Sequence, residues 1–282
     1  MAEQTEQSIL SQEVKQYDYD RWLTCLFAPE NLREDLFALL SFNSEIARVR
    51  ETVSEPMLGD IRLQWWRDAL NGLQDGIVKK HPTIEALYQA HQRTPLDLSA
   101  MQAMIDMRAK DLDPAPIATD GELIVYADLT SGTLHRLMHL MLTGEDNSRA
   151  AEATTLAGRV YGLFGILQAI PFHGRNGLVL IPKTRMSDYG VTENSVLTKE
   201  HQHSLCKIVE GLTEVAANEM VDARKAAKSI KGAGRAAILV NAFGPLQLGQ
   251  FRKYGYDPGK VAGRLGSVRK IISLYRYKQF GF

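Results

Sequence analysis

Residues 41–51 read SFNSEIARVRE, and this stretch adds a cluster of charges to an apolar helical run. Apolar side chains recur every three or four residues across 36–53, at Leu39, Phe42, Ile46, Val49 and Val53. That spacing places them on one face of an α-helix. The charged members of the stretch are Glu45, Arg48, Arg50 and Glu51. The pattern predicts a helix with one face in the core and a cluster of charges beside it.

Helical periodicity continues along the rest of the chain. The further predicted helices span 59–73, 97–110, 121–142, 148–169, 199–229, 234–253 and 258–279. Only GLVLIP, residues 177–182, suggests a short extended piece. Because we find no internal repeat and no linker, we predict a single all-α domain over 1–282 with a polar N-terminal extension at 1–18. It has too many helices for a simple four-helix bundle.

The charge balance limits the classes of partner. The 282 residues are 45% hydrophobic and 23% charged, with a formal net charge of zero. A neutral chain has no bulk attraction for nucleic acid, so we expect no nucleic-acid partner. Residues 1–18 lack a signal-peptide pattern, and the longest apolar run, 161–170, is too short to cross a bilayer. We expect a cytoplasmic location, with peripheral attachment to the inner membrane left open.

Metal-binding patterns are weak in this sequence. Cys25 and Cys206 lie far apart and match no metal spacing, so we expect free thiols. His135 and His139 are four residues apart, but no glutamate lies between them and no third ligand is near in sequence. They therefore do not match the zinc motif that uses this spacing.

Five segments, in this order, resemble the squalene/phytoene synthase family. They are LFAPENLREDLFALLSFNSEIARVRE, RLQWWRDAL, IDMRAKDLD, YADLTSGTLHRLM, and YGLFGILQAIPF followed by GLVLIP. The resemblance covers about residues 20–275. It implies the all-α isoprenoid synthase fold and, for active members, head-to-head transfer between prenyl diphosphates.

Active members of that family carry two aspartate-rich motifs, on the helices that match 36–54 and 157–172. Residues four apart share one helix face, so the two helices aim carboxylates at Mg²⁺ ions that hold a diphosphate. The ions neutralise the leaving group as an allylic cation forms. The resemblance therefore identifies where metal ligands belong in this chain.

The matching positions here are degenerate. Ala47, Arg48 and Glu51 replace the first motif, while Gln168 and His173 fall in the second, where no aspartate remains. A guanidinium about 5 Å from a divalent ion costs about 6–7 kcal/mol at an effective dielectric of about 20. We therefore expect no bound metal, no catalytic residue and no cofactor. Pro171 also predicts that the second helix ends or kinks there.

The resemblance places three more residues near the family's central cavity. Tyr126, Thr130 and Gly132 belong to a stretch whose small side chains line that cavity in the family. The alternative is close packing of two helices, which small residues also permit.

The stretch FNSEIARVRETVSEPMLGDIRLQWWRDAL resembles one degenerate branch of the family, which contains the phytoene-synthase-like assembly factor of mitochondrial complex I and its bacterial relatives. This implies a non-catalytic protein in respiratory complex I assembly, with complex I subunits or assembly proteins as partners, or another membrane-associated scaffold. The alternative is a prenyl transferase that uses Mg²⁺ and prenyl diphosphates in isoprenoid biosynthesis. A third hypothesis is a carrier of isoprenoid lipids.

The last predicted helix combines an apolar stripe with a basic surface. The stripe is Val261, Leu265, Val268, Ile272 and Tyr275, which we expect to face the core. Basic residues surround it, at Arg252, Lys253, Lys260, Arg264, Arg269, Lys270, Arg276 and Lys278. The basic side is either simply solvated or attracted to an anionic membrane surface.

Overall fold

The structure is a computed structural model that describes residues 8–112, 117–261, 263 and 265–280. Its α-helices are α1 (Ile9–Tyr17), α2 (Tyr19–Cys25), α3 (Arg33–Ala47), α4 (Val49–Thr52), α5 (Pro56–Gln74), α6 (Pro82–Arg93), α7 (Leu98–Ala109), α8 (Asp120–Ala127), α9 (Thr133–Thr143), α10 (Ser148–Arg175), α11 (Lys183–Asp188), α12 (Gln202–Ala227), α13 (Gly244–Lys253), α14 (Pro258–Val261) and α15 (Ser267–Phe280). A 3₁₀ segment spans Gly232–Ala242. No β-strand occurs within the described ranges, which confirms the all-α prediction.

The helices enclose two large apolar clusters. The first joins α1, α3, α5, α6, α7 and α9, and its largest fully buried side chains include Phe42 and Trp66. The second forms where α10 packs along α12, with Phe164 stacked on Phe251 at 6.2 Å between ring centroids. Burial of this much apolar surface is the main stabilising contribution to such a fold.

A π-helical turn, Asp128–Gly132, connects α8 to α9. Such turns insert one residue into a helix and are frequent at functional sites. Thr130 donates its hydroxyl to the carbonyl of Tyr126 at 2.6 Å, which satisfies a backbone acceptor beside the turn. The turn brings residues 130 and 131 to the inside of the molecule, where they are buried.

The N-terminal segment differs from the predicted extension. Residues 9–17 form α1, which packs on α3 and buries Leu10 and Val14 in the first core. The two side chains are four residues apart and share the inner face of the helix. Residues 1–7 of the predicted extension lie outside the described residues.

Several predicted helix boundaries are wrong. The helix predicted over 234–253, for example, is the 3₁₀ segment Gly232–Ala242 followed by α13. The helix predicted over 36–53 is two helices, because α3 ends at Ala47 and Arg48 leaves helical geometry with φ −93° and ψ 1°. The helix predicted over 148–169 continues to Arg175, so Pro171 does not end it. A proline removes one backbone hydrogen bond, and the burial of Leu167 and Ile170 in the second core holds the helix across that loss.

The prediction that the C-terminal stripe faces the core is wrong at three of its five positions. Val261 is buried, but Val268, Ile272 and Tyr275 are 69%, 54% and 57% exposed. The inner face of α15 is instead formed by Leu274 and Tyr277. The predicted single helix is interrupted at Gly263, where φ is 71°, so residues on the two sides of the break no longer share a face. Arg264 lies outside the described residues.

No helix in the described part of the chain is both long enough and apolar enough to cross a membrane.

Candidate functional site

A cavity of about 330 Å³ lies between α2, α3, α8 with its π-turn, and α10. Six of the residues selected from the sequence border it, namely Ala47, Arg48, Glu51, Tyr126, Thr130 and His173. The break at Arg48 turns the chain so that residues 47, 48 and 51 reach the same side of this space. The structure thus brings residues from both segments that the resemblance assigns to the metal motifs to one cavity.

Gln168 and Gly132 do not border the cavity. Gln168 is half-buried on α10. Gly132 lies where the π-turn meets α10, and a Cβ added there would lie 3.0 Å from Cγ2 of Thr155. On α10, a Cβ added to Gly158 would lie 2.3 Å from the carbonyl oxygen of Ser131. Gly132 therefore lies at a close contact between the π-turn and α10.

Arg48, which the family resemblance assigns to a lost metal-ligand position, has two partners in the structure. Its guanidinium lies over the ring of Tyr17, 3.7 Å from the centroid, and its Nε is 4.0 Å from Oε2 of Glu51. A guanidinium over an aromatic face is stabilised by the ring quadrupole. Burial raises the pKa of Glu51, and the charges of Arg48 and Arg108 act against that rise.

Arg21, on α2, forms a buried polar centre against the cavity. It donates from Nη1 to Asp18 at 2.8 Å, from Nη2 to Ser131 at 2.6 Å and from Nε to Nε2 of His135 at 3.0 Å. The guanidinium also lies 4.5 Å from the ring centroid of Tyr161. Each nitrogen of the guanidinium therefore has a hydrogen-bond partner, as a buried charge requires.

These contacts define the tautomer of His135. Since Arg21 donates to Nε2, that nitrogen is the acceptor, and Nδ1 carries the proton that it donates to the carbonyl of Ala237. Burial and, to a smaller extent, the charge of Arg21 lower the pKa of His135 to about 3. Both ring nitrogens are engaged, so the imidazole holds α9 to α2 and to the 3₁₀ segment 232–242.

A second buried polar group lies on the α7 side. Tyr126 donates its hydroxyl to Oδ1 of Asp111 at 2.8 Å and accepts from Nη1 of Arg108 at 2.6 Å. Arg108 also pairs with Asp111 at 3.3 Å. Burial raises the pKa of Asp111, while Arg108 and the Tyr126 hydrogen bond favour its ionised form. Nε of Arg108 is buried without a hydrogen-bond partner.

His173 lies in the last turns of α10 and borders the cavity. Burial and, to a smaller extent, the positive charge of Arg108 lower the pKa of His173 to about 4. The imidazole is therefore neutral at physiological pH and offers the cavity a neutral polar group in place of a carboxylate.

The donor set of the cavity does not fit a Mg²⁺ cluster. Mg²⁺ takes near-octahedral oxygen ligands, usually carboxylates and water. Glu51 is the acid that remains of the two motifs, and Arg48 is beside it. Within the described ranges, no three His, Cys, Asp or Glu residues converge as a metal site. Three arginines border the cavity, Arg21, Arg48 and Arg108, which suits direct contact with an anion.

Sequence reasoning missed much of this site. Tyr17, Asp18 and Arg21 border the cavity, yet they lie in or next to the segment interpreted as an extension. Asp18 and Arg21 are three residues apart, the spacing of a helical ion pair. That spacing was the available signal, but the partners Ser131 and His135 lie more than 100 residues away.

The sequence pattern that describes squalene/phytoene synthase matches residues 14–263. The chain belongs to the squalene/phytoene synthase family. Solved structures of similar fold are a dehydrosqualene synthase with ligand (TM-score 0.83, 19% identity, 96% of this chain and 94% of that one) and squalene synthase HpnC from Alicyclobacillus acidocaldarius (TM-score 0.77, 16% identity, 89% and 94%). At these identities the likeness shows the fold alone.

Curated relatives include "NADH dehydrogenase (ubiquinone) complex I, assembly factor 6" of Bos taurus and of Homo sapiens. The bovine protein is 28% identical over 217 residues, which cover 77% of this chain and 65% of the bovine protein. The human protein is 27% identical over 217 residues, which cover 77% of this chain and 65% of the human protein. The chain thus spans about 65% of the length of these relatives.

Proposed function

We propose that this member of the squalene/phytoene synthase family is non-catalytic and acts in the assembly of NADH dehydrogenase, complex I. The observation that supports the proposal is the guanidinium of Arg48, which borders the cavity between Tyr17 and Glu51 at a position that the family resemblance assigns to a metal ligand. The assembly factors named above supply the role, since their sequences align with most of this chain.

The geometry argues against diphosphate ionisation by the family's usual route. That route needs divalent ions to neutralise the leaving group, and three arginines border the cavity. An arginine can bind a phosphate, but it carries a single positive charge where each Mg²⁺ ion carries two. A bound anion would therefore be held without being activated to leave.

The partners we propose are complex I subunits or other assembly proteins, met at the membrane that holds the complex. We also propose a class of ligand for the cavity. An isoprenoid lipid with an anionic head, or a prenyl diphosphate, would place its head near the guanidinium groups and its chain along the apolar wall of Ile166 and Leu180.

Deletion of the gene in its host tests the assembly role. We expect assembled NADH dehydrogenase, measured by in-gel activity on native gels, to fall and to return with the wild-type gene. Arg48→Ala should also restore it, because a scaffold does not need that charge. A Gly158→Val variant, which disturbs helix packing, is the control for loss of fold. Unchanged complex I after deletion would show that the role is wrong.

A prenyl transferase remains the second candidate, because the fold keeps a polar cavity against an apolar wall. Its test uses purified protein with Mg²⁺ and farnesyl or geranylgeranyl diphosphate, and measures released pyrophosphate. Turnover that Glu51→Gln abolishes would establish an enzyme. No release above a protein-free control would support the non-catalytic proposal.

A further inference from the structure

The outer face of α15 is apolar. Val268, Ile271, Ile272 and Tyr275 are all exposed, by 37% to 69%. They recur at intervals of three, one and three residues, so they form one strip along the helix. Scattered exposed apolar residues are ordinary, but a continuous strip marks a surface that meets another apolar phase.

A basic groove of about 450 Å³ runs beside this strip. Arg224 from α12 and Arg269 and Arg276 from α15 border it, together with Leu246, Ile272 and Tyr277. Among the described residues no carboxylate pairs with these three arginines, and Nε of Arg224 is buried without a hydrogen-bond partner. Residues 267–280 contain no acidic residue at all. In a chain of zero net charge, this face concentrates positive charge.

The helix is held firmly on its inner side. Leu274 is fully buried, and Ser273 donates to the carbonyl of Ala242 at 2.7 Å. Lys270 forms an ion pair with Asp20 on α2 at 2.6 Å. The exposed strip therefore belongs to a docked helix, and no rearrangement is needed to present it.

We propose that α15 and the three-arginine groove bind the surface of an anionic phospholipid membrane. The strip enters the boundary between head groups and acyl chains, and the arginines contact phosphate oxygens. Interfacial helices bind in this way, by apolar burial together with attraction to anionic lipids. Each basic residue near such a surface contributes about 1 kcal/mol, a factor of about five in binding.

The combination of features favours a membrane over other anionic partners. A nucleic acid would match the arginines but would leave Val268, Ile271 and Ile272 in water. An acidic protein would need carboxylates set into an open groove and an apolar strip to match. A bilayer surface supplies both a dense array of phosphates and an adjoining apolar layer, and it needs no matching arrangement of individual residues.

Vesicle flotation with the purified full chain tests the proposal. We expect binding to vesicles of phosphatidylcholine with phosphatidylglycerol, weak binding to phosphatidylcholine alone, and release at high salt because surface charges are screened. Arg269→Gln with Arg276→Gln should reduce binding about tenfold or more. The double variant Val268→Ser with Ile272→Ser should also bind vesicles more weakly, and this loss of binding should depend less on salt concentration.

The matched control is Lys80→Gln with Arg149→Gln. Both residues are exposed and lie outside the groove, and the pair removes the same total charge. We expect its binding to equal that of the wild type. Circular dichroism and thermal unfolding establish that each variant is folded; all four groove and strip substitutions are at exposed positions.

Equal binding to neutral and anionic vesicles, or unchanged binding of the Arg269/Arg276 variant, would overturn the proposal. If wild-type protein ignores vesicles while the same variant loses complex I assembly in cells, the groove binds an acidic protein and the lipid proposal is wrong. The vesicle assay uses no complex I component, so its failure is distinct from failure of the assembly role.

Discussion

Arg21 donates its Nε–H to Nε2 of His135, 3.0 Å away, although the two residues are 114 positions apart in the chain. This bond joins α2 to α9 at the wall of the cavity, and it requires a neutral imidazole because a protonated His135 has no acceptor nitrogen. The arrangement makes the protonation state of one buried side chain part of the stability of the fold.

We expect the free energy of unfolding to fall as pH decreases from about 6.5 toward 4. His135 has a pKa of about 3 when folded, below its ordinary 6.5. In this window the unfolded chain binds more protons than the folded chain, so acid favours unfolding, by a few kcal/mol at most. Above pH 6.5, the ordinary pKa of histidine, this loss of stability is absent because His135 is neutral in both the folded and the unfolded chain. Urea unfolding at a series of pH values measures it.

The variant that tests this assignment is His135→Gln, whose amide can accept from Arg21 and donate to Ala237. It should flatten the pH dependence relative to the wild type. The buried carboxyls contribute equally to both proteins, so the difference isolates the imidazole. His203→Gln, at an exposed histidine, is the control. Identical pH profiles for wild type and His135→Gln would contradict the assignment.

Arg21→Met should lower the free energy of unfolding by about 3 kcal/mol or more, because it leaves Asp18 buried without its cation. Asp18 also accepts from the backbone N–H of Arg21 at the start of α2. Asp18→Asn keeps that acceptor, so the double variant should lose less than the sum of the two single losses, by about 1–3 kcal/mol. Strict additivity in the double-mutant cycle would show that the pair is not coupled.

Much of the fold could be predicted because the spacing of apolar residues along the chain indicates the helices and their buried faces. The stripe of Leu39, Phe42, Ile46 and Val49 is buried as predicted. The degenerate positions 47, 48, 51 and 173 came from the family resemblance, and they meet at one cavity.

The rest depended on contacts that local patterns do not encode. Arg21 has partners on a distant helix, so its role could not be derived from its neighbours in sequence. The face of α15 was misassigned because one positive-φ residue, Gly263, changes the phase between Val261 and Val268. From the sequence, Gly132 could line the cavity or permit close packing of two helices, and its contact with α10 is known only from the structure.

Gly158→Ala and Gly165→Ala, both on α10, should have opposite effects on stability. A Cβ at Gly158 would lie 2.3 Å from the carbonyl oxygen of Ser131 and 2.7 Å from Cα of Gly132, which is backbone that must shift. We expect a loss of about 1–3 kcal/mol. At Gly165 no neighbouring atom lies within 4 Å, so alanine should stabilise by up to about 1 kcal/mol through its higher helix propensity. Equal effects in denaturant unfolding would contradict this packing.

Inorganic pyrophosphate should raise the unfolding temperature most strongly when Mg²⁺ is absent. The cavity offers it Arg48 and Arg108 as direct partners, and a ligand that binds only the folded state stabilises that state. Added Mg²⁺ should reduce the shift because it complexes the free anion, and Mg²⁺ alone should have no effect. Arg48→Gln should weaken the response, while Arg149→Gln, an exposed arginine at the start of α10, should not. A larger shift with Mg²⁺ and pyrophosphate together than with pyrophosphate alone would show that the degenerate motifs still assemble a metal–diphosphate site, and the non-catalytic proposal would lose its physical basis.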